Sequence, residues 1–328
     1  MQELFLSEPN KLSLREVATL PVPIDNEIKV KVIYGGICGS DLRVYRGSIA
    51  YASYPIRPGH EVLGVVTEVG KDSSLVVGTN VVIFPNTFCG KCEHCLQGKT
   101  NICKEKKPLG VAVDGVFAEE VIIASKYAVP VPADMPNERA ILVEPFAVTV
   151  HALKRAYITT GTTVAIIGSG TEGLLAVALA TKLGAKVTAI DINPKKLELA
   201  KKLGDVQALT PENVAGQTFD VVVEAAGVKQ SFEQAFQLVK PGGTIVALGI
   251  SSEQVAFSPI QVVRSEISIN GSIIYTLKDF ADAIAHLSDP TFYVEPITSK
   301  FIPLKQYQEA FEDAFSGNYA KIVLEFPE

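Results

Sequence analysis

The chain has 328 residues, 47% of them apolar, and a formal net charge of −6. That length suits about two domains with well-packed cores, and an acidic balance without a Lys/Arg stripe argues against nucleic acid and anionic membrane surfaces as partners. The first residues, MQELFLSEPNKLSLREV, lack a basic start followed by an apolar stretch, and no segment approaches ~18 uninterrupted apolar residues, so a cytoplasmic protein acting on a small molecule is expected.

Up to about residue 147 the chain carries short β-branched runs broken by turn residues: EIKVKVIYGG, EVLGVVTEVG, TNVVIF and FAEEVIIA. These predict a compact all-β barrel. Cys38 lies in GGICGSDL, at the end of the first run, and His60 and Glu61 lie in RPGHEVLG. The loop CGKCEHCLQGKTNIC then gathers Cys89, Cys92, Cys95 and Cys103 with spacing C-x2-C-x2-C-x7-C. A cystine framework fits poorly, because a reducing compartment is expected and five cysteines leave one unpaired. Ferredoxin-type iron–sulfur ligation continues with x3 and a proline, whereas here the step is x7 with Lys104 following. Four thiolates on two short steps and one returning loop suit a tetrahedral zinc, and a site closed by four protein ligands braces a loop instead of performing chemistry. His94 is expected to face solvent. Farther on, LVEPFAV contributes Glu144. Cys38, His60 and Glu144 are the ligand types of a catalytic zinc with an open fourth position. Spacing alone leaves the alternatives of a buried core thiol and a structural histidine.

From about residue 162 the rhythm changes to strands alternating with helices: TTVAIIG, TEGLLAVALATKLG, AKVTAID, PKKLELAKKLG, FDVVVEAAG, SFEQAFQLVK and GGTIVALGI. That alternation predicts βαβ units and a parallel sheet. GSGTEG falls between the first strand and helix, with Gly168 for the turn, Gly170 for close approach of a pyrophosphate and Gly173 for helix packing. Asp191 ends the following strand, where a carboxylate accepts hydrogen bonds from a ribose and repels a 2′-phosphate. NAD is therefore expected over NADP, with Lys195 and Lys196 read as the first turn of the helix opened by Pro194. After ISINGSIIY come two amphipathic segments, KDFADAIAHL and KQYQEAFEDAFSG, and the strand-like KIVLEF.

The ordered set GxCGSD, PGHE, the four-cysteine loop, EP, GxGxxG and a following Asp resembles the zinc-containing medium-chain dehydrogenase family, most closely its sorbitol and threonine dehydrogenase-like polyol branch. The resemblance spans nearly the whole chain. It implies an α/β fold in which a Rossmann doubly wound parallel sheet, residues 148–275, is inserted into a GroES-like β-barrel catalytic domain, residues 1–147 and 276–328. It implies hydride transfer between an alcohol or polyol, with a secondary hydroxyl expected, and NAD, together with catalytic and structural zinc and a homo-oligomer, dimer or tetramer. Cys38, His60 and Glu144 match the catalytic ligands, Glu61 a ligand or near-ligand that exchanges with water, Ser40 the hydroxyl that passes the substrate proton outward, and Asp41 the carboxylate that orients the ligating histidine. Two positions depart from the pattern. Arg43 stands where many relatives carry a relay histidine, and arginine cannot relay a proton by titrating. Glu172 stands where relatives usually have Ile or Val behind the nicotinamide ring, and its carboxylate either turns to solvent or faces the ring. The alternatives are an NADPH-dependent reductase without catalytic zinc and a non-catalytic, zinc-stabilised nucleotide-binding protein.

Overall fold

A computed structural model describes residues 1–327. The chain opens with an antiparallel hairpin, β1 (Gln2–Leu6) and β2 (Leu12–Glu16). β3 (Glu27–Ile37) is the central strand of the barrel, and its alternate residues Ile28, Val30 and Val32 are fully buried on one face. Burial of each such side chain is worth about 1.5–3 kcal/mol. β3 runs directly into α1 (Gly39–Tyr45), with Cys38 at its N-cap. β4 (Glu61–Val69) pairs antiparallel with β3, and Gly36 lies opposite Glu61. A Cβ on Gly36 would land 2.2 Å from a Glu61 carboxylate oxygen, so glycine here makes room for a buried acid. β5 (Asn80–Ile83), the short α2 (Glu93–Leu96) in the four-cysteine loop, β6 (Glu120–Ala124) on the other side of β3, and β7 (Ala128–Pro130) complete this part. Two helices follow, α3 (Asn137–Ala140) and α4 (Val143–Leu153).

The next strands are all parallel: β8 (Thr163–Ile167), β9 (Lys186–Ile190), β10 (Val206–Leu209), β11 (Phe219–Glu224), β12 (Val239–Ala247) and β13 (Ser268–Gly271). Their order is β10-β9-β8-β11-β12-β13, or 3-2-1-4-5-6 counted from β8, the doubly wound arrangement of a Rossmann sheet. The crossover helices are α5 (Thr171–Lys182), α6 (Pro194–Lys201), α7 (Lys229–Leu238) and α8 (Pro259–Ser265). α5 buries Leu174 through Ala180 without a break because it lies between the sheet and α4.

The chain then returns. α9 (Leu277–Ser288) starts on a capping box in which Thr276 and Asp279 satisfy each other's backbone N–H groups, and it packs on α4. β14 (Thr298–Pro303), α10 (Tyr307–Ser316) and β15 (Lys321–Glu325) follow, and β15 inserts between β14 and β3. Ile322 pairs with Ile37, so the last strand brings Lys321 beside the Cys38 end of β3. No helix among the described residues is long and apolar enough to cross a membrane.

Candidate active site and metal centres

The four-cysteine loop is stitched by N–H donors aimed at sulfur. Cys103 Sγ accepts from the backbones of Cys89 and Glu105, at 3.3 and 3.4 Å, and Cys89 Sγ accepts from Cys92 at 3.4 Å. Such bonds favour thiolate, and the backbone N–H of Cys95 leads the effects that bring Cys92 down to about 6. Three of the sulfur–sulfur separations run from 3.6 to 4.0 Å, and all four sulfurs lie within 4.8 Å of one another. Thiolates at about 2.3 Å from a tetrahedral zinc stand about 3.8 Å apart, so the four sulfurs fit that ion. All five cysteines are free thiols. His94 is partly exposed at the loop surface, 3.5 Å from Glu93.

The loop is also tied to the interior. Asn101 Nδ2 donates to the carbonyl of Ile273 at 3.0 Å and lies 3.4 Å from His151 Nε2 on α4. His151 Nδ1 is 2.8 Å from Asp279, which is also held by Lys154. An ionised carboxylate only accepts, so the proton of this imidazole lies on Nδ1 and Nε2 accepts from Asn101. The four-thiol loop thus grips the same helix that carries Glu144.

At the other centre, Cys38 Sγ, a nitrogen of His60 and an oxygen of Glu61 lie within 4.8 Å of one another. Asp41, 1% exposed, sets their register: its carboxylate accepts from the backbone N–H of Cys38 at 2.9 Å and of Gly59 at 3.2 Å, and lies 3.3 Å from His60 Nδ1. Ser40 Oγ is 3.2 Å from His60 Nε2. Burial pushes the Cys38 thiol and the Glu144 carboxyl up, and brings Glu61 up to about 7. Burial works against a charged His60, but Asp41 and Cys38 outweigh it and hold the imidazole well above its usual range. Acidic donors crowded in a buried pocket call for a cation, and a thiolate, an imidazole and a carboxylate are a donor set that suits zinc.

The two carboxylates are held differently. Both oxygens of Glu61, which is fully buried, accept from Lys321 Nζ, at 2.7 and 2.5 Å, and the same ammonium reaches the carbonyl of Ile37 at 3.3 Å. Glu144 lies outside the group of three mutually close donors. Its Oε1 accepts from Tyr275 Oη at 2.5 Å, and Tyr275 accepts in turn from Asn86 at 3.2 Å. Tyr275 packs edge-on against Phe84, which is a core residue. Lys321 and Tyr275 have no counterpart in the sequence reading. In sequence, one is an ordinary position of KIVLEF and the other ends ISINGSIIY, and only the return of β15 and the turn after β13 bring them to the site.

The glycine loop between β8 and α5 is shaped as a cradle. Gly168 has φ +95°, and a Cβ on it would lie 2.7 Å from the backbone nitrogen of Ala226; a Cβ on Gly173 would lie 1.8 Å from the carbonyl oxygen of Gly168. Gly170, the N-cap of α5, has nothing within 4 Å of its Cβ direction, leaving an open approach to the helix N-terminus where a pyrophosphate fits. Asp191 at the end of β9 accepts from the backbones of Ser169 and Asn193, both at 2.7 Å, which fixes the carboxylate beside the loop. Asn193 caps α6 with Pro194 at its first turn. Glu172 is half-buried in the first turn of α5. Its carbonyl accepts from Thr149 on α4 at 3.1 Å, and Thr171 donates to the carbonyl of Ala320, next to Lys321, at 3.0 Å.

The family descriptions "Alcohol dehydrogenase GroES-like domain" and "Zinc-binding dehydrogenase" match residues 24–133 and 173–289. The curated protein "Probable D-xylulose reductase A" of Arthroderma otae is 31% identical, over 93% of this chain and 92% of its own. Two solved structures superpose over 99% of the chain. One, from Sinorhizobium meliloti 1021, is described as a zinc-binding dehydrogenase bound to NADP, with TM-score 0.93, 29% identity and 98% of its own chain covered. The other is a short chain alcohol dehydrogenase from Escherichia coli CFT073 complexed with NADH, with TM-score 0.92, 30% identity and 99% of its chain covered.

Proposed function

We propose, from the premise that this chain belongs to the zinc-containing medium-chain alcohol/polyol dehydrogenase family, that it interconverts a secondary hydroxyl of a polyol and the corresponding carbonyl with NAD as partner. It is a zinc-dependent alcohol/polyol oxidoreductase. The observation that carries the reading is the close approach of Cys38, His60 and the buried Glu61 in a chain that also carries an open glycine cradle at the start of α5.

Cys38, His60 and Glu144 would hold the catalytic zinc, with Glu61 as an exchangeable near-ligand, and Cys89, Cys92, Cys95 and Cys103 the structural one. This assignment is supported by the single hydrogen bond on Glu144 against the two from Lys321 that occupy Glu61. Bound there, zinc supplies Lewis acidity toward a hydroxyl oxygen. The protein's residues do the rest. Asp41 keeps His60 oriented, and Ser40 relays the hydroxyl proton, accepting it as its own passes to water, because Arg43 offers no acceptor to continue the relay. Gly168, Gly170 and Gly173 seat the pyrophosphate on α5 and Asp191 binds the ribose, which aims the nicotinamide at the Cys38 site. A bound nicotinamide would supply the acceptor for a hydrogen nucleus and two electrons leaving the carbinol carbon as hydride, with the hydroxyl proton released to solvent, so that alcohol and NAD⁺ would give carbonyl, NADH and a proton. Asp191 supports NAD over NADP, because its charge repels a 2′-phosphate and neither Ile192 nor Asn193 offers a cation.

We take the units as residues 1–147 with 276–328, and 148–275, with the substrate enclosed between them. Free thiols arranged for metal fit a reducing cytoplasm. A homo-oligomer is supported by β13, the unpaired edge of the parallel sheet, and by exposed Phe257, Ile260 and Val263 near it. The test is NADH formation at 340 nm over a panel of polyols and secondary alcohols. Oxidation of polyols with NAD is expected, and activity confined to NADPH-dependent reduction of activated double bonds would overturn the reading.

A further inference from the structure

The turn that follows β11 lies against the glycine loop. β8 and β11 are neighbours at the point where the strand order reverses, and Glu224, the last residue of β11, stands opposite Ile167 at the end of β8. The approach is so close that a Cβ on Gly168 would lie 2.7 Å from the nitrogen of Ala226, and one on Gly249, after β12, would lie 2.3 Å from the nitrogen of Gly227. Inside this junction the Glu224 side chain is fully buried, while Ala226 above it is exposed. Its Oε1 accepts from the backbone N–H groups of Ala226 at 2.9 Å and Gly227 at 2.8 Å, and from the Ser231 hydroxyl on α7 at 2.6 Å; Oε2 has no hydrogen-bond partner. One oxygen thus gathers three donors and bends the turn back onto its strand.

We infer that Glu224 is a positioning residue of the cofactor site: by gathering the N–H groups of Ala226 and Gly227 it shapes residues 225–227 into the surface on which the half of a dinucleotide beyond its pyrophosphate rests. This deepens the proposal of a nicotinamide cofactor and rests on it. The strand order gives the direction. Asp191 follows β9 on one side of β8, Gly170 opens α5 from β8 itself, and the Glu224 turn leaves β11 on the other side. A dinucleotide with its adenosine ribose at Asp191 and its pyrophosphate at Gly170 continues across the crevice at the reversal point, toward that turn. The two walls are held separately. The glycine loop is fixed from its own side, where Gly168 N–H donates to the carbonyl of Ile190 at 2.8 Å and Ser169 N–H to Asp191 at 2.7 Å, whereas the turn depends on Glu224. Burial pushes the Glu224 carboxyl up, so its charge is disfavoured and the side chain acts through an acceptor oxygen, which an amide also supplies.

The test is calorimetric titration of NADH and of ADP into the zinc-loaded protein and into its Glu224→Met, Glu224→Gln and Ser231→Ala variants. ADP reaches Asp191 and the glycine loop and stops short of the turn. Glu224→Met fills the space without an acceptor, so NADH should bind about tenfold more weakly, because the turn must then be ordered on binding, while ADP binds as before. Glu224→Gln keeps the acceptor oxygen and should bind both nucleotides as the wild type does. Ser231→Ala removes one of the three donors that fix the carboxyl and should weaken NADH about threefold with ADP unchanged, a result that decides the matter should Glu224→Met not fold. NADH and ADP weakened alike, NADH unchanged, or Glu224→Gln as impaired as Glu224→Met overturns the role of Glu224 and leaves the cofactor assignment standing. Failure of the wild type to bind either nucleotide overturns the assignment itself, and the inference with it.

Discussion

Lys321 and Glu61 form a doubly bonded ion pair with both side chains almost wholly removed from solvent, 1% and 0% exposed. A buried pair of this kind contributes little over an apolar pair of the same shape, but removing one partner strands the other. Lys321→Met should therefore destabilise the metal-loaded protein by about 3–5 kcal/mol, and the double variant Lys321→Met with Glu61→Leu should recover much of that. Urea unfolding measures both, and a single variant as stable as wild type would show that the ammonium does not carry the Glu61 charge. At this scale the sequence was informative where chemistry is rare. Cys38, His60, Glu144 and the four clustered cysteines stand out because few residue types hold metals. Lys321 and Tyr275 are common residues whose meaning depends on contacts across 260 and 131 positions of chain, and no local pattern encodes those.

The glycine loop and the strand β9 that follows it form the element on which we propose that cofactor choice depends. Asp191 is fixed there by the N–H groups of Ser169 and Asn193, and Ile192 beside it is exposed. Asp191→Ala combined with Ile192→Arg should shift preference from NAD toward NADP, since one change removes repulsion of the 2′-phosphate and the other adds a charge-assisted partner. The measurement is kcat/KM with each cofactor, and a wild type that already prefers NADP would overturn the ribose assignment. Some elements were readable at this scale, β3 and α9 by their periods and β8 and α5 as apolar runs on either side of the GSGTEG loop. Others were not. α1 spans only seven residues and α4 is apolar on nearly all sides, so neither shows an amphipathic period, while β10 has only four residues. The hairpin β1–β2 lies in the polar opening segment, where alternation is weak.

Across the whole molecule, the last strand is what makes one site from two sheets. β15 pairs beside β3 and brings Lys321 to Glu61, while Thr171 at the start of α5 bonds to Ala320, one residue before it. The change of rhythm near residue 162 made the two architectures legible in sequence. Their order of assembly rested on resemblance, because an interrupted barrel leaves no local mark. The open edge at β13 belongs to this scale as well. If copies of the chain join there, Val263→Asp with Ile269→Lys should lower the sedimentation coefficient to that of a monomer without loss of zinc, and an unchanged coefficient would place the interface elsewhere.

The central claim is that the chain holds two zinc sites of different kind, one closed by four thiolates and one built on Cys38 and His60 for chemistry. Zinc content per chain, measured on the purified protein and on its Cys38→Ser and Cys95→Ser variants, tests it most directly. About two ions are expected in the wild type. Cys38→Ser should lose about one of them while remaining folded and able to bind NAD, with turnover abolished, and Cys95→Ser should lose the other together with thermal stability. About one ion in the wild type, or a Cys38→Ser protein that keeps both, would contradict it.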